Sequence, residues 1–143
     1  MQKIQFNSHD RESALRNKKM LKRGIEKLFN REKRNLKSLA YIFCSDEYLL
    51  GINKEFLKHD FFTDVITFNL SSCQMEIEAE VYISIDRVRD NAKLLKNPYK
   101  DELHRVIFHG ALHLCGYGDK MKKDKLVMRL KEQEYLLWYF NKK

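Results

Sequence analysis

The 143-residue chain is poor in residues that break regular structure and in residues that cross-link small domains. It has one proline, five glycines and three cysteines, and no apolar run approaches the roughly 20 residues that span a bilayer. The cysteines, Cys44, Cys73 and Cys115, are odd in number and form no C-x-x-C pair. This argues against a disulfide framework and favours packing roles in a reducing compartment. The N-terminus lacks the apolar segment of a signal peptide, so we expect a cytoplasmic protein that does not enter a membrane.

Positive charge is concentrated in one segment near the N-terminus. The net charge is +8, and residues 11–37 alone hold eleven Lys and Arg against three Glu, so the remainder balances to zero. A localised basic surface indicates a polyanionic partner, with nucleic acid first. A solvated helix face that only aids solubility accounts for the charge equally well.

Hydrophobic periodicity and turn residues predict a single domain over residues 1–143. Strands are predicted over residues 3–7, 39–44, 64–69 and 78–85. Helices are predicted over residues 11–29, 46–57 with Ser45 as N-cap, 86–95, from Asp101 to a stop at Gly116, and 122–140. The order β-α-β-α-β-β-α-α-α is typical of the α+β class, in which a small sheet packs against helices.

The first predicted helix has two distinct faces. Leu21, Ile25 and Leu28 recur at helical spacing and form its buried stripe. The opposite face carries the candidates for binding a phosphate backbone, which are Arg16, Lys19, Arg23 and Lys27.

The last predicted helix has a less regular apolar pattern. Gln133 interrupts its stripe, and we interpret Trp138 and Tyr139 as packing residues rather than a platform for stacked bases. The predicted buried residues are Leu126, Leu130, Leu137 and Phe140.

The most informative stretch is HGALHLCGYGD, residues 109–119. His109 and His113 lie four residues apart on a helix that is apolar on most sides, so their Cβ atoms are roughly 5–6 Å apart on one face. Gly116 ends the helix and lets the chain turn back, which would bring Asp119 to a third ligand position. Two histidines, one carboxylate and a water form a known catalytic zinc set. The spacing therefore favours a metal site.

Two other interpretations apply to this pattern. H-x-x-x-H arises by chance, and a buried histidine is often only a hydrogen-bonded core residue, which is how we interpret His9 and His104. The spacing is also similar to that of metzincin proteases, but those need H-E-x-x-H, whose Glu is the general base. Gly110 stands at that position here, which argues against peptide hydrolysis and not against metal binding.

The run HGALHLCGY resembles the signature of the bacterial YbeY family, H-G-x-L-H-L-x-G-Y-D-H. Residues 52–68, which end in TDVITF, are similar to the family's upstream block, and residues 80–83 are similar to its G-D-I-x-I strand. Met128 and Glu132 fit its last helix. The resemblance implies a mixed four-stranded sheet with about five or six helices and a metal site on a central helix.

The same resemblance implies a function. It indicates a Zn2+-dependent endoribonuclease that acts on single-stranded RNA during maturation of small-subunit ribosomal RNA. Its partners would be RNA and the ribosome, and not DNA. An alternative is a non-catalytic assembly factor that binds RNA or the ribosome and has a structural metal. A metal hydrolase for another substrate, such as a peptide, is the third possibility.

Two departures from the family pattern affect these expectations. The third ligand is Asp119 where the family has histidine, with Gly118 where it has aspartate, and a carboxylate makes the ion less Lewis-acidic and its identity less certain. Leu57 stands where the family has an arginine that is thought to aid catalysis. The adjacent Lys58 and His59 are the candidates to replace it, although side chains at neighbouring positions point in other directions.

Overall fold

The computed structural model describes residues 3–73 and 75–141, and in those ranges the chain forms four strands and five helices. The strands are β1 (Ile4–Ser8), β2 (Leu36–Cys44), β3 (Val65–Asn69) and β4 (Ile77–Ser84). The helices are α1 (Lys18–Arg31), α2 (Asp46–Leu57), α3 (Ile85–Leu95), α4 (Tyr99–Leu114) and α5 (Lys122–Asn141). None of these helices combines the length and the apolar composition that a membrane crossing requires.

The four strands form one mixed sheet in the order β1-β2-β4-β3. β1 and β2 pair in parallel, β2 and β4 pair in parallel, and β3 is antiparallel to β4. The two parallel pairings need crossover connections, which α1 and the segment containing α2 and β3 supply. The α+β class and the mixed four-stranded sheet are thereby confirmed.

The main core lies between the sheet and the helices α1 and α4. The predicted stripe of α1 is confirmed, because Leu21, Ile25 and Leu28 are fully buried. The Tyr41 hydroxyl on β2 donates to the carbonyl oxygen of Ile107 at 2.9 Å, which joins the sheet to α4 through a buried hydrogen bond. α4 therefore lies at the centre of the fold, where it can position side chains at its carboxyl end.

The first helix begins later than predicted. Residues 11–17 are irregular, and α1 starts at Lys18, so Arg16 precedes the helix instead of lying on its basic face. Ala14 and Asn17 have φ values of 60° and 54°, which a right-handed helix does not allow. The Ser13 hydroxyl accepts from the Leu15 amide, a local bond that competes with helix formation.

The predicted buried stripe of the last helix is wrong. Its residues are exposed, with relative accessibilities of 60% for Leu126, 57% for Leu130 and 64% for Leu137; Phe140 is exposed at 37%. The face that packs on the fold contains Met128, Glu132, Tyr135 and Tyr139. A buried glutamate and two buried tyrosines define this face, so apolar periodicity could not identify it. The packing roles of Trp138 and Tyr139 are confirmed.

α4 begins two residues before its predicted start at Asp101, because Pro98 occupies the N-cap and Asp101 falls in the first turn. Its predicted end is confirmed, since Gly116 has a φ of +109°, a conformation that favours glycine. Cys115, at the end of this helix, is buried among core residues, as expected for a packing role. All three cysteines are free thiols.

Candidate metal centre

A cleft of about 300 Å³ lies where the carboxyl half of α4, strand β3 and the loop after α2 meet. α4 contributes two histidines, and the chain beyond Gly116 turns back so that residues 119 and 120 form one wall. The polar and charged side chains that line the cleft include His59, Asp64, His109, His113, Asp119 and Lys120. The two predicted histidine ligands and the predicted carboxylate therefore face the same space.

The two histidines are held in matching orientations. Their rings are nearly parallel, with an interplanar angle of 10° and centroids 6.1 Å apart. Nδ1 of His109 lies 2.6 Å from Oε2 of Glu132, and Nδ1 of His113 lies 2.9 Å from the carbonyl oxygen of Tyr117. A carboxylate and a carbonyl can only accept, so both Nδ1 atoms donate. Nε2 is left on each ring as the potential metal-binding nitrogen, an arrangement characteristic of zinc-binding histidines.

Asp119 adds an oxygen next to this pair. Its Oδ2 atom lies 3.4 Å from Nε2 of His109. Over residues 3–73 and 75–141, no group of three or more His, Cys, Asp or Glu side chains is arranged closely enough to hold a metal ion. The fit to a divalent ion therefore rests on the donor set: two oriented imidazoles with free Nε2 atoms and a half-exposed carboxylate next to one of them.

A buried ionic network supports His109 from behind. Glu132 is 5% exposed and accepts from both His109 and Arg105. Burial works against ionisation of Glu132, but the hydrogen bond from His109 and the charge of Arg105 outweigh it and lower the pKa of Glu132. Burial likewise opposes the charged form of His109, but the hydrogen bond to Glu132 and its charge raise the pKa of His109 above its ordinary value. Glu132 is thus a negatively charged acceptor that fixes the His109 ring.

Arg105 connects this network to the wall of the cleft. Its guanidinium contacts Glu102 at 2.7 Å, Glu132 at 3.1 Å and Asp64 at 3.6 Å. Three carboxylates around one half-buried guanidinium keep Arg105 engaged in the protein, so it positions Asp64 and Glu132.

The structure explains why residue 110 is a glycine. A Cβ atom placed on Gly110 would lie 2.8 Å from Cγ1 of Val81, which is closer than Cβ atoms approach other side-chain atoms in proteins. α4 therefore approaches β4 closely at this point, and a side chain larger than that of glycine does not fit without a shift of the helix or the strand. A glutamate base at this position would have to enter the packed sheet, so the protease mechanism of the H-E-x-x-H motif is sterically barred.

The candidates to replace the family arginine lie in different places. His59 lines the cleft and stacks on Phe61, with ring centroids 5.1 Å apart. Lys58 ends α2 in a left-handed conformation with φ of 58°, and it is not among the lining residues of the cleft. Leu57 does line it. Sequence reasoning missed Lys120, a cation that lines the cleft beside Asp119. Its position next to the predicted third ligand was the available signal.

The predicted basic residues are all exposed, but they do not line the cleft. α1 runs beside α4, because Met20 near its start contacts the same cavity as Leu103, while Glu32 after its end accepts from the hydroxyl of Tyr117. The basic surface of α1 thus extends along the molecule toward the loop that carries Asp119. It comprises Lys19, Arg23 and Lys27, with Arg16 before the helix.

The roles of Glu132 and Asp64 were also missing from the sequence-based site. Glu132 was recognised only as a fit to the family's last helix, and Asp64 only as part of the block that is similar to the family's upstream block. No local spacing connects residues 64, 109 and 132, so only the fold brings them together. A glutamate within the otherwise apolar and aromatic face of α5 is the one signal that could have indicated a buried partner.

Comparison with known proteins identifies the family. A family model described as Endoribonuclease YbeY matches residues 3–139. Two curated relatives, both named Endoribonuclease YbeY, cover nearly the whole chain. The protein of Cytophaga hutchinsonii is 48% identical over 93% of this chain and 93% of its own length. The protein of Porphyromonas gingivalis is 43% identical over 96% of this chain and 90% of its own length.

A solved structure has the same fold. The solution structure of TM1509 from Thermotoga maritima is similar, with a TM-score of 0.62 and 27% sequence identity, over 96% of this chain and 89% of that one. The match to the family model extends from the start of the first strand to two residues before the end of α5, and so includes both histidines, Asp119 and Glu132. The chain belongs to the YbeY family of endoribonucleases.

Proposed function

We propose that the protein is a metal-dependent endoribonuclease that cleaves single-stranded RNA, with small-subunit ribosomal RNA as its substrate in the cytoplasm. One observation carries the metal-dependent part: His109 and His113 donate through Nδ1 to fixed acceptors, so each keeps Nε2 for a ligand in one cleft. The family name of its curated relatives supports the nuclease part.

The residues that would hold the ion are His109, His113 and Asp119. Zn2+ matches this donor set, since it accepts imidazole nitrogen and carboxylate oxygen in catalytic sites with three protein ligands. When bound, such an ion supplies Lewis acidity, which lowers the pKa of a water and offsets charge that builds on a phosphate. Glu132 keeps the imidazole of His109 oriented and makes its Nε2 atom a stronger metal ligand.

The remaining polar groups of the cleft suit a phosphodiester. Lys120 is a cation beside Asp119 and would contact a non-bridging phosphate oxygen. His59, stacked on the exposed Phe61, presents an aromatic surface at the rim against which an unpaired base can stack. A duplex offers no splayed base for such a surface, which favours single-stranded RNA.

A specific observation also favours a second function. Leu57 lines the cleft where the family has an arginine, so no described lining residue supplies a forked cation against the transition-state charge. A ribosome-assembly factor that binds RNA and uses the metal only to fix the loop after α4 would fit this difference.

Cleavage of a fluorescently labelled single-stranded RNA distinguishes the two functions. Wild-type protein would be stripped with a chelator, reloaded with zinc and compared with a His113→Ala variant and a His9→Ala control. The core position expected for His9 is wrong, because this histidine is exposed and lies outside the cleft. We expect cleavage by the reloaded wild type and the control, and none by the stripped protein or His113→Ala. RNA binding without cleavage in the reloaded wild type would support the assembly factor, and equal cleavage by His113→Ala would refute the nuclease site.

A further inference from the structure

A second cavity of about 330 Å³ lies at the opposite end of α4 from the metal centre. The segment before α1, the first turns of α4 and the end of α5 enclose it. Lys100 and His113 are thirteen residues apart on one helix, so the cavity and the cleft are separated by about 20 Å along the helix axis. The metal-centred chemistry makes no use of this cavity.

The irregular segment over the cavity is held in a strained conformation. Ala14 and Asn17 both have left-handed backbone angles, a region that is unfavourable for residues with a side chain and most of all for one, like alanine, without a polar group. The hydroxyl of Tyr99, at the start of α4, donates to the carbonyl oxygen of Ser13 at 2.7 Å and fastens the segment to α4. Strain of this kind, held in place by the surrounding structure, is common at ligand-binding sites.

The inner wall of the cavity is aromatic. The ring of His104 stacks on Tyr139 with centroids 5.6 Å apart and an interplanar angle of 27°, and Phe140 meets His104 edge-on at 5.0 Å. His104 is only 4% exposed, and its Nδ1 atom donates to the carbonyl oxygen of Lys100 at 2.7 Å. Within the described part of the chain, Nε2 of His104 has no hydrogen-bond partner, so a neutral ring offers it to a ligand as an acceptor.

Burial keeps this ring neutral. It lowers the pKa of His104, and the opposing hydrogen bond to the Lys100 carbonyl does not restore the ordinary value. The wall therefore consists of uncharged, mostly buried rings and one acceptor, which suits the apolar body and the amino edge of a nucleobase.

The rim of the cavity is cationic. Arg16 and Lys100 are its charged lining residues among the described part of the chain, and no described carboxylate lines it. The Lys100 ammonium lies 5.0 Å from the centroid of the Phe140 ring, so positive charge is held beside the aromatic wall. A ligand that fits has a flat ring for the wall and an anionic group for the rim.

We propose that this cavity binds one unpaired nucleotide of the RNA, its base against His104 and Tyr139 and its phosphate against Arg16 and Lys100. The choice of RNA rests on the proposed function. α1 leads from this cavity toward the loop that carries Asp119, since Met20 lines the cavity and Glu32 contacts Tyr117. A strand held in the cavity can therefore follow the basic side chains of α1 toward the cleft.

Binding of adenosine 5′-monophosphate to chelator-treated protein tests the proposal without any need for cleavage. Amide chemical shifts would be followed by NMR in the wild type, Arg16→Ala, Lys100→Ala and the control Lys93→Ala, whose side chain is exposed on α3. We expect shifts centred on residues 14–17, 100 and 104. Affinity should fall roughly tenfold in each rim variant, the size of one charge-assisted contact, and stay unchanged in Lys93→Ala.

Adenosine and inorganic phosphate serve as probes for the two halves of the ligand. Weaker binding of each than of the nucleotide supports a site that uses both base and phosphate. Equal binding of phosphate alone, shifts confined to residues 109–120, or no loss of affinity in Arg16→Ala and Lys100→Ala would overturn the proposal. If the protein binds the nucleotide in this cavity but cleaves no RNA, the nucleotide site is supported and only the nuclease function is refuted.

Discussion

The glycine between the two histidines offers a sharp test of how α4 sits on the sheet. Adding a methyl group in Gly110→Ala places a Cβ atom 2.8 Å from Cγ1 of Val81, 3.5 Å from its Cγ2 and 3.7 Å from Cγ2 of Val65. Val81 is fully buried and β-branched, so its side chain cannot rotate away without disturbing the core. Relief requires α4 and β4 to move apart.

Gly51→Ala is a matched control for this substitution. Gly51 lies within α2, is exposed, and a Cβ atom there would meet no atom within 4 Å. Both substitutions remove a helical glycine, which by itself stabilises by about 0.5–1 kcal/mol. Because this gain is common to the two variants, the difference between them isolates the cost of overpacking, about 1–3 kcal/mol.

The assay is urea denaturation of both variants and the wild type, treated with a chelator so that metal affinity does not contribute. We expect Gly51→Ala to be slightly more stable than the wild type and Gly110→Ala to be less stable than Gly51→Ala by that difference. Equal or greater stability of Gly110→Ala, with an unchanged denaturant slope, would refute the close approach of α4 to β4. In that case there would also be no steric reason to exclude a glutamate base at residue 110.

Three further predictions concern the surroundings of the site. Glu132→Gln removes the charged acceptor of His109 and should weaken zinc binding by about 10–100-fold, as measured by competition with a chromophoric chelator. Glu134→Gln changes an exposed residue on the same helix and should leave zinc affinity unchanged. Equal zinc affinities of the two variants would show that Glu132 does not support the metal site. Burial works against the charge of Glu32, but hydrogen bonds from Tyr135, Tyr117 and Lys131 hold its pKa below its ordinary value of 4.5, so Glu32→Gln should cost about 1–2 kcal/mol at pH 7. That cost should vanish as the pH falls from 4.5 through the depressed pKa, and urea midpoints that differ equally at both ends would contradict it. Lys19→Ala and Lys27→Ala should each reduce the slope of log affinity for RNA against log salt by about 0.7, and unchanged slopes would remove the basic face of α1 from RNA binding.

The elements with one clear apolar period could be predicted from the sequence. The stripe of Leu21, Ile25 and Leu28 is buried as expected, and Gly116 ends α4 as expected. The pair His109 and His113 could be found because helical spacing alone puts i and i+4 on one face. Local rules were sufficient in these places because each depends on residues within a few positions of one another.

The rest depends on contacts that are distant in sequence. The buried face of α5 is set by Glu132, which accepts hydrogen bonds from His109 and Arg105, and by Tyr135, which donates to Glu32. These polar groups are stabilised by burial only because their partners are in place, so the apolar residues Leu126 and Leu130 gave the wrong face. The late start of α1 likewise depends on Tyr99, whose hydroxyl donates to the carbonyl oxygen of Ser13 although the two residues are 86 positions apart.

The proposed metal centre consists of His109, His113 and Asp119. Its most direct test is the metal content of purified, untagged wild-type protein, measured by mass spectrometry beside Asp119→Ala and the control Asp60→Ala, whose carboxylate is exposed and does not line the cleft. We expect about one ion per chain in the wild type and the control, and much less in Asp119→Ala. No ion in the wild type after incubation with zinc, or equal content in all three proteins, would contradict it.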